Sequence, residues 1–180
     1  MKINLTNSIA KCLLLKSSVP GGASVNRYET TLCYIYGPKG VLMLHRTKKE
    51  NDINKDKYIG VGGHIEQGES PDECVLREVS EETGLQMRSF RLRGIITFVI
   101  DDIDELTFLY TCDDYSGDLR ECNEGELVWV EEEKIESLPI WEGDKIFFRL
   151  FKEREDVFSL KLHYIQGRLV DARVDGKSVV

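Results

Sequence analysis

The strongest constraint on folding is one short segment that carries complete helix start and stop signals. Ser70 is a good N-cap, Pro71 suits the first helical position, and Glu73 completes a capping box with Ser70. Gly84 is typical of the residue that ends a helix. The segment therefore predicts a short helix that ends at Thr83.

Three glutamates fall on one face of this predicted helix. Glu78, Glu81 and Glu82 are spaced i, i+3 and i+4, so their carboxylates can reach a common centre. Carboxylates crowded in this way repel one another unless cations lie between them, and hard oxygen ligands select Mg²⁺ or Mn²⁺ over zinc. Arg77 lies four residues before Glu81 and can orient or neutralise a carboxylate. For this spacing taken alone, the alternative is a merely solvated helix face.

Strand-like segments lie on both sides of the helix, and a second amphipathic helix is predicted near the end of the chain. The predicted strands are residues 28–36, 41–45, 90–100, 106–112, 127–130, 157–165 and 168–174, and the second helix covers 143–154. Residues 58–65 are a glycine-rich strand or turn, and residues 101–105 form an acidic turn. Residues 48–57 are predicted as a solvated loop, with a rim to a ligand site as the alternative. The fold class is α/β (α+β), with helices on the faces of a mixed sheet.

Composition limits the partners and the compartment. The 180 residues suit one domain, and the 24 basic against 32 acidic residues give a net charge of −8. This acidity argues against nucleic-acid polymers as partners, and no segment is apolar enough to predict a membrane span. Five scattered cysteines predict neither a disulfide framework nor a zinc site, which favours a cytoplasmic protein.

Residues 1–24 are predicted as an N-terminal extension to a domain that covers residues 25–180. The extension ends in a linker-like run rich in serine and glycine. Two hypotheses stay open for it. Translation starts at Val25, or the extension forms a short helix on the surface of the domain.

The spacing around the glutamates extends to a longer pattern. Residues 63–85 match the signature G-x5-E-x7-R-E-U-x-E-E-x-G-U position for position, where U is an apolar residue. On this motif the chain resembles the Nudix hydrolases. The resemblance implies a loop–helix–loop packed on a mixed sheet in an α/β/α sandwich. It also implies Mg²⁺-dependent hydrolysis of a nucleoside diphosphate linked to another moiety, with Mn²⁺ as a substitute.

The resemblance also implies roles for individual residues. The metal ligands it implies are three glutamates and one backbone carbonyl, namely Glu78, Glu81, Glu82 and Gly62. Glu78 also matches the general base proposed for some members. The implied catalytic set is Glu78 and Glu81 together with Glu69 and Arg77, which match positions that orient the glutamates and support the loop.

Many Nudix members take a further carboxylate from outside the motif. Residues 121–126 offer three acids, of which Glu121 and Glu124 are the favoured metal ligands; a loop acid bound to nothing is the alternative. Gly63 and His64 are candidate substrate-binding residues in the predicted phosphate loop. His45 is a second histidine near that loop, and a structural or exposed role is the alternative for either histidine.

Within the family, residues 28–174 resemble the MutT-type oxidised-purine nucleoside triphosphatases. The features that carry this resemblance are the segments 127–130, 138–144 and 158–164. In that branch a tryptophan and an acid hold the purine, which implies substrate binding by Trp141 and Asp144. The expected substrate is 8-oxo-dGTP, hydrolysed to the monophosphate and pyrophosphate as a nucleotide-pool sanitiser. The alternative for Trp141 is packing of the helix onto the sheet.

Two departures from that branch affect base recognition. Ile59 stands where eukaryotic members carry an asparagine that bonds the base, and His64 stands where lysine is common. Two other functions stay open. One is a Nudix hydrolase of another nucleoside-diphosphate-linked substrate, and the other is a non-catalytic Nudix module that senses a nucleotide. The complete motif favours an enzyme.

Overall fold

The computed structural model describes residues 27–48 and 52–180. Its strands are β1 (Arg27–Gly37), β2 (Gly40–His45), β3 (Tyr58–Ile59), β4 (Gln86–Ile100), β5 (Ile103–Ser116), β6 (Glu126–Val130), β7 (Phe158–Ile165), β8 (Arg168–Val174) and β9 (Lys177–Ser178). The helices are α1 (Pro71–Thr83) and α2 (Asp144–Glu153), and a 3-10 helix covers Glu132–Ser137. The predictions for residues 1–24 lie outside the described residues.

The strands form one mixed sheet in the order β3-β2-β1-β5-β4-β7-β8-β9, with β6 paired to β2. β1 runs parallel to β5 and β4 runs parallel to β7, whereas the hairpin pairs are antiparallel. The predicted mixed sheet and its hairpins are therefore confirmed.

The two helices cover opposite faces of this sheet. Successive residues of a strand point to opposite faces, and β1 shows this directly. Ile35 belongs to a cluster with Val75 and Val79 of α1, while Tyr34 packs with Phe147 of α2. The predicted covering of both faces by helices is confirmed.

Helix α1 has the ends that its sequence predicts. The side chain of Ser70 accepts a hydrogen bond from the backbone N–H of Glu73, and the Glu73 carboxylate accepts one from the backbone N–H of Ser70. Gly84 ends the helix with φ of 81°, a conformation that favours glycine. Local signals thus fix the position of the glutamates along the chain.

One segment differs from its prediction, and a second fits the alternative given for it. The turn between β4 and β5 contains only Asp101 and Asp102, so Glu105 belongs to β5 and not to the expected acidic turn. Residues 48–57 are predicted as a solvated loop, with a rim to a ligand site as the alternative, and Asp52 and Asn54 line a cavity, which fits the alternative. Among the described residues, no helix is long and apolar enough to cross a membrane.

Candidate active site

The glycine loop before α1 is held on β1 by backbone hydrogen bonds. The N–H of Thr31 donates to the carbonyl of Gly63 at 2.8 Å, and the N–H of Cys33 donates to the carbonyl of Val61 at 2.7 Å. A Cβ on Gly62 would lie 2.1 Å from the Thr31 carbonyl oxygen, and one on Gly63 would lie 2.5 Å from the Glu78 carboxyl carbon. Gly62 therefore requires glycine, because the clash is with backbone, and Glu78 lies directly against the loop at Gly63.

Arg77 ties the loop to the glutamates. Its Nε and Nη2 atoms donate to the two oxygens of Glu69, each at 2.8 Å, and its Nη1 donates to Glu78 Oε1 at 2.6 Å. Nη2 also donates to the carbonyl of His64 at 3.1 Å. These hydrogen bonds lower the pKa of Glu69 to about 2. Arg77 and Glu69 thus form a support beneath the loop.

The charged form of two motif glutamates is disfavoured. Burial, followed by the charges of Glu124 and Glu78, raises the pKa of Glu82 to about 8. Burial also raises the pKa of Glu78, and Arg77 opposes that effect. Carboxylates that raise one another's pKa are stabilised by a cation placed among them. Glu81 differs, because its side chain is 64% exposed at the edge of the group.

The oxygen donors at this point fit a divalent cation. The carbonyls of Val61 and Gly63 accept backbone hydrogen bonds, whereas no donor among the described residues bonds the carbonyl of Gly62. The Gly62 N–H donates to Glu82 Oε2 at 3.2 Å. As positioned, no three acidic, histidine or cysteine side chains in the described ranges form a ready metal group. The Gly62 carbonyl and the neighbouring carboxylates are therefore the oxygen atoms that could hold a cation here.

A buried ion pair brings an acid from outside the motif to the same place. Two N–H groups of Arg46 donate to Asp52 Oδ2, and Nη1 donates to Glu124 Oε2. The Arg46 and Asp52 side chains are only 8% and 3% exposed. Glu124 is one of the charges that raise the pKa of Glu82, so it lies beside the motif glutamates.

The structure distinguishes between the two acids that the sequence favoured. Glu124 joins the carboxylate group through Arg46 and its proximity to Glu82. Glu121 is exposed, and no hydrogen bond or ion pair connects its side chain to the rest of the described chain. Of the two, Glu124 is placed to serve the site.

A cavity of about 310 Å³ opens from the glycine loop across one face of the sheet. Gly62, Gly63 and Glu124 line it beside the carboxylates, and Trp141 and Asp144 line it near the start of α2. This size is at the lower end of the range of small-molecule sites. Two of the predicted metal residues, Gly62 and Glu124, thus line the same cavity as the predicted substrate residues.

Trp141 has a packed position in this cavity. It is 8% exposed, and its Nε1 donates to Asn54 Oδ1 at 2.7 Å. Phe98 and Tyr164 meet its ring edge-on, and the Lys57 ammonium lies 4.4 Å from the ring centroid. The indole therefore packs on the sheet and also borders the cavity, without the exposed face that stacking from solvent requires.

Asp144 is a buried carboxyl in the first turn of α2. Burial raises its pKa to about 8, although a backbone hydrogen bond from Trp141 and the charge of Lys57 both lower it. Near pH 7 the carboxyl is therefore largely protonated, and it can both donate and accept a hydrogen bond.

Asp144 makes stability depend on pH. In the unfolded chain an aspartate ionises near pH 4. Between about pH 4 and 8 the folded state thus binds more protons, so the free energy of unfolding falls as pH rises, by up to about 1.4 kcal/mol per pH unit. Asp144→Asn removes this contribution, and we expect the stability of the parent relative to this variant to decrease across that range.

Urea unfolding at several pH values measures this difference. Asp118→Asn is the control, because Asp118 is an exposed aspartate. Its stability difference from the parent should stay constant with pH. If the free energies of unfolding of the parent and of Asp144→Asn changed with pH in parallel, the pKa of Asp144 would not be raised in the folded protein.

The two histidines have different positions. His64 lines the cavity, and Tyr28 meets its ring edge-on at 5.9 Å between centroids. His45 stacks on Tyr58 with ring centroids 4.2 Å apart. The structure therefore favours His64 over His45 for contact with a ligand.

Several residues of the site were not predicted. Arg46 depends on a contact with Glu124, 78 positions away, which no local pattern marks, and Asp52 and Asn54 were covered only by the alternative of a ligand-site rim. Thr30 and Glu105 line the cavity from neighbouring strands. The alternation of β1 offered a signal for Thr30, whereas the acidic run 101–105 concealed Glu105 in a predicted turn.

A glycine loop, a glutamate-bearing helix and a mixed sheet that supports both define the Nudix class of hydrolases, as the motif implies. The NUDIX domain model matches residues 26–151. The chain is 32% identical over 122 residues to the uncharacterized Nudix hydrolase YvcI of Bacillus subtilis (strain 168), covering 64% of this chain and 73% of the relative. It is 28% identical over 127 residues to the oxidized purine nucleoside triphosphate hydrolase of Danio rerio, covering 69% and 80%.

A solved structure gives the same result. The mutator MutT protein of Bacillus halodurans superposes with a TM-score of 0.74 at 27% identity, covering 83% of this chain and 99% of that one. The chain belongs to the NUDIX family. It is a Nudix hydrolase of the MutT-like group, whose members act on phosphoanhydride bonds of nucleoside diphosphate derivatives and generally use divalent metal ions.

Proposed function

We propose that this protein hydrolyses a purine nucleoside triphosphate, with Mg²⁺, to the monophosphate and pyrophosphate, and that oxidised purines such as 8-oxo-dGTP are its preferred substrates. The observation that carries the proposal is one cavity lined at one place by Gly62, Gly63 and Glu124, next to the motif glutamates, and at another by Trp141 and Asp144. A nucleotide needs both parts of the cavity. Its phosphates are negatively charged and need a cation, whereas its base is flat and largely apolar and needs an apolar pocket with a few polar groups.

The position of the substrate's phosphates is inferred from the oxygen atoms that can bind a metal ion. The residues that would hold the ion are four glutamates and one carbonyl, namely Glu78, Glu81, Glu82, Glu124 and Gly62. When bound, a divalent ion neutralises phosphate charge and lowers the pKa of a coordinated water. Glu78 lies against the Gly63 backbone, where it can take a proton from an attacking water. Arg77 keeps Glu78 oriented through their hydrogen bond.

The base part follows from the cavity lining. Ile59, Phe98 and Leu162 provide apolar surface, while the neutral carboxyl of Asp144 can pair with a base edge that offers both a donor and an acceptor. The name of the Danio rerio relative, an oxidized purine nucleoside triphosphate hydrolase, supports the same substrate class. The protonated state of Asp144 at neutral pH is thus part of how the base is bound.

The test is a substrate panel with the purified protein and Mg²⁺. It contains nucleoside triphosphates, 8-oxo-dGTP, nucleotide sugars and dinucleotides. We expect kcat/KM for 8-oxo-dGTP to exceed that for dGTP by about tenfold or more, since differences of a few hydrogen bonds reach this size. Equal values for the two would contradict the preference for oxidised purines. Turnover of nucleotide sugars alone would contradict the triphosphate assignment.

A matched pair of variants tests the acid outside the motif. Glu124→Gln should lower kcat/KM by about 10- to 100-fold, because Glu124 lies with the motif carboxylates. Glu121→Gln should leave it within about twofold, as for most exposed positions. Steady-state rates with saturating Mg²⁺ measure both. Similar losses in the two variants would show that Glu124 has no special role.

A further inference from the structure

The carboxylate of Glu105 lines the cavity on the sheet side and is not one of the proposed metal ligands. Strand pairing places Glu105 of β5 between Tyr28 of β1 and Phe98 of β4. All three side chains line the cavity, because alternate residues of these strands face the same side of the sheet. Its two neighbours in the strand pairing are both aromatic, so Glu105 is the charged group at this point of the sheet.

Two threonines hold one oxygen of this carboxylate. The Thr30 hydroxyl donates to Glu105 Oε1 at 2.6 Å, and the Thr107 hydroxyl lies 3.3 Å from the same oxygen. The two hydroxyl oxygens are 2.9 Å apart. Both threonines are buried, so their side chains have little freedom to turn elsewhere. The orientation of the carboxylate is therefore fixed in advance.

The other oxygen has no such partner. Among the described residues, no donor forms a hydrogen bond or ion pair with Glu105 Oε2. A half-buried carboxylate oxygen is a strong acceptor, and leaving it without a partner in a closed site is costly. A ligand that fills the cavity must therefore offer a donor here or lose affinity.

We propose that Glu105 is a specificity-determining residue that accepts a hydrogen bond from an N–H group of the substrate base. The proposal rests on the proposed function and extends it to a named acceptor. The chemical group required is an exocyclic amino group or a protonated ring nitrogen. Asp144 lines the same cavity and can pair with another edge, so the two acids together favour a base that carries donors on more than one edge.

Glu105→Gln tests the proposal with little change of shape. If the amide oxygen keeps the two threonine hydrogen bonds, the amide nitrogen takes the place of Oε2. The variant then presents a donor where the parent presents an acceptor. The control is Glu29→Gln, because Glu29 is an exposed glutamate on β1 whose position in the strand alternation faces the other side of the sheet.

The measurement is kcat/KM on pairs of triphosphates in which one member carries an N–H donor group that the other lacks. The pairs are dGTP with dITP, dATP with 2′-deoxypurine riboside triphosphate, and 8-oxo-dGTP with dGTP. We expect the parent to prefer the donor-bearing member of at least one pair by about 10- to 100-fold, and Glu105→Gln to abolish or invert that preference. Glu29→Gln should keep the parental ratios.

Two other outcomes are distinguishable. If Glu105→Gln changes kcat/KM for both members of every pair by the same factor, Glu105 does not select the base, and the proposal fails while the proposed function stands. If the parent hydrolyses none of these triphosphates, the proposed function fails, and the assignment of Glu105 fails with it. Thermal unfolding of the variant confirms that the comparison is between folded proteins.

Discussion

Glu82→Gln should abolish hydrolysis and leave the protein folded. The loss in kcat should be at least about 100-fold, because a metal ion contributes several kcal/mol of transition-state stabilisation and each 1.36 kcal/mol is a factor of ten. The fold should tolerate the change for a separate reason. Burial and the nearby carboxylates already disfavour the charged form of Glu82, so a neutral amide of the same shape suits the site.

Two measurements on this variant give the expected contrast. Steady-state release of pyrophosphate measures the activity, and thermal unfolding without metal should give a Tm equal to or above that of the parent. Glu73→Gln is the control on the same helix, since Glu73 is exposed and glutamine also completes a capping box. If Glu82→Gln kept more than about a tenth of the parental rate, Glu82 would not be a metal ligand.

Arg46→Met should give the largest loss of stability. Removing one partner of a buried ion pair costs about 3–5 kcal/mol, because the remaining charge stays buried without compensation. Here two acids depend on Arg46, and the Asp52 side chain is almost fully buried. Urea unfolding at neutral pH measures the change in the free energy of unfolding.

A surface ion pair provides the control for this prediction. Arg88 pairs with Asp114, and the two side chains are about half exposed. Arg88→Met should therefore cost less than about 1 kcal/mol. Adding Asp52→Asn to Arg46→Met should recover part of the loss, since it removes a stranded charge. Equal losses in Arg46→Met and Arg88→Met would mean that burial does not strengthen the Arg46 pair.

The two predictions concern neighbouring buried groups. The charge of Arg46 is paired with acids, whereas the charge of Glu82 is not paired with a cation of the described chain. Arg46 compensates Asp52 and Glu124, whereas no cation among the described residues forms an ion pair with Glu82, and the charge of Arg46 lowers the pKa of Glu82 by less than burial and the nearby acids raise it. Uncompensated charge of this kind is costly to the folded protein. A cation site nevertheless requires such a group of negative charges. Removing one of them by a Glu→Gln substitution should therefore lower activity without lowering stability, whereas removing Arg46 should lower stability.

The sequence predicted those parts of the site that depend on local signals. The capping box at Ser70 and the terminal Gly84 fixed α1 along the chain, and helical spacing then placed Glu78, Glu81 and Glu82. Strand patterns also predicted the mixed sheet, because alternation is local as well. The positions of these elements therefore needed no knowledge of tertiary contacts.

The rest of the site depends on contacts that no local pattern reveals. Arg46 and Glu124 are 78 positions apart in the chain, and only the pairing of β2 with β6 brings their segments together. Glu105 was not predicted to line the site, because residues 101–105 include four acids and are typical of a turn. In the structure only Asp101 and Asp102 form the turn. Trp141 lines the cavity, but its burial depends on Phe98 and Tyr164 from other strands.

We expect this chain to cleave a nucleoside triphosphate between the α- and β-phosphates, with a divalent ion at the glutamates of α1. Phosphorus NMR of the reaction mixture, with Mg²⁺ and again with excess EDTA, tests this expectation. The expected products are monophosphate and pyrophosphate with Mg²⁺, and no products with EDTA. Diphosphate and orthophosphate as products, or the same rate in EDTA, would contradict it.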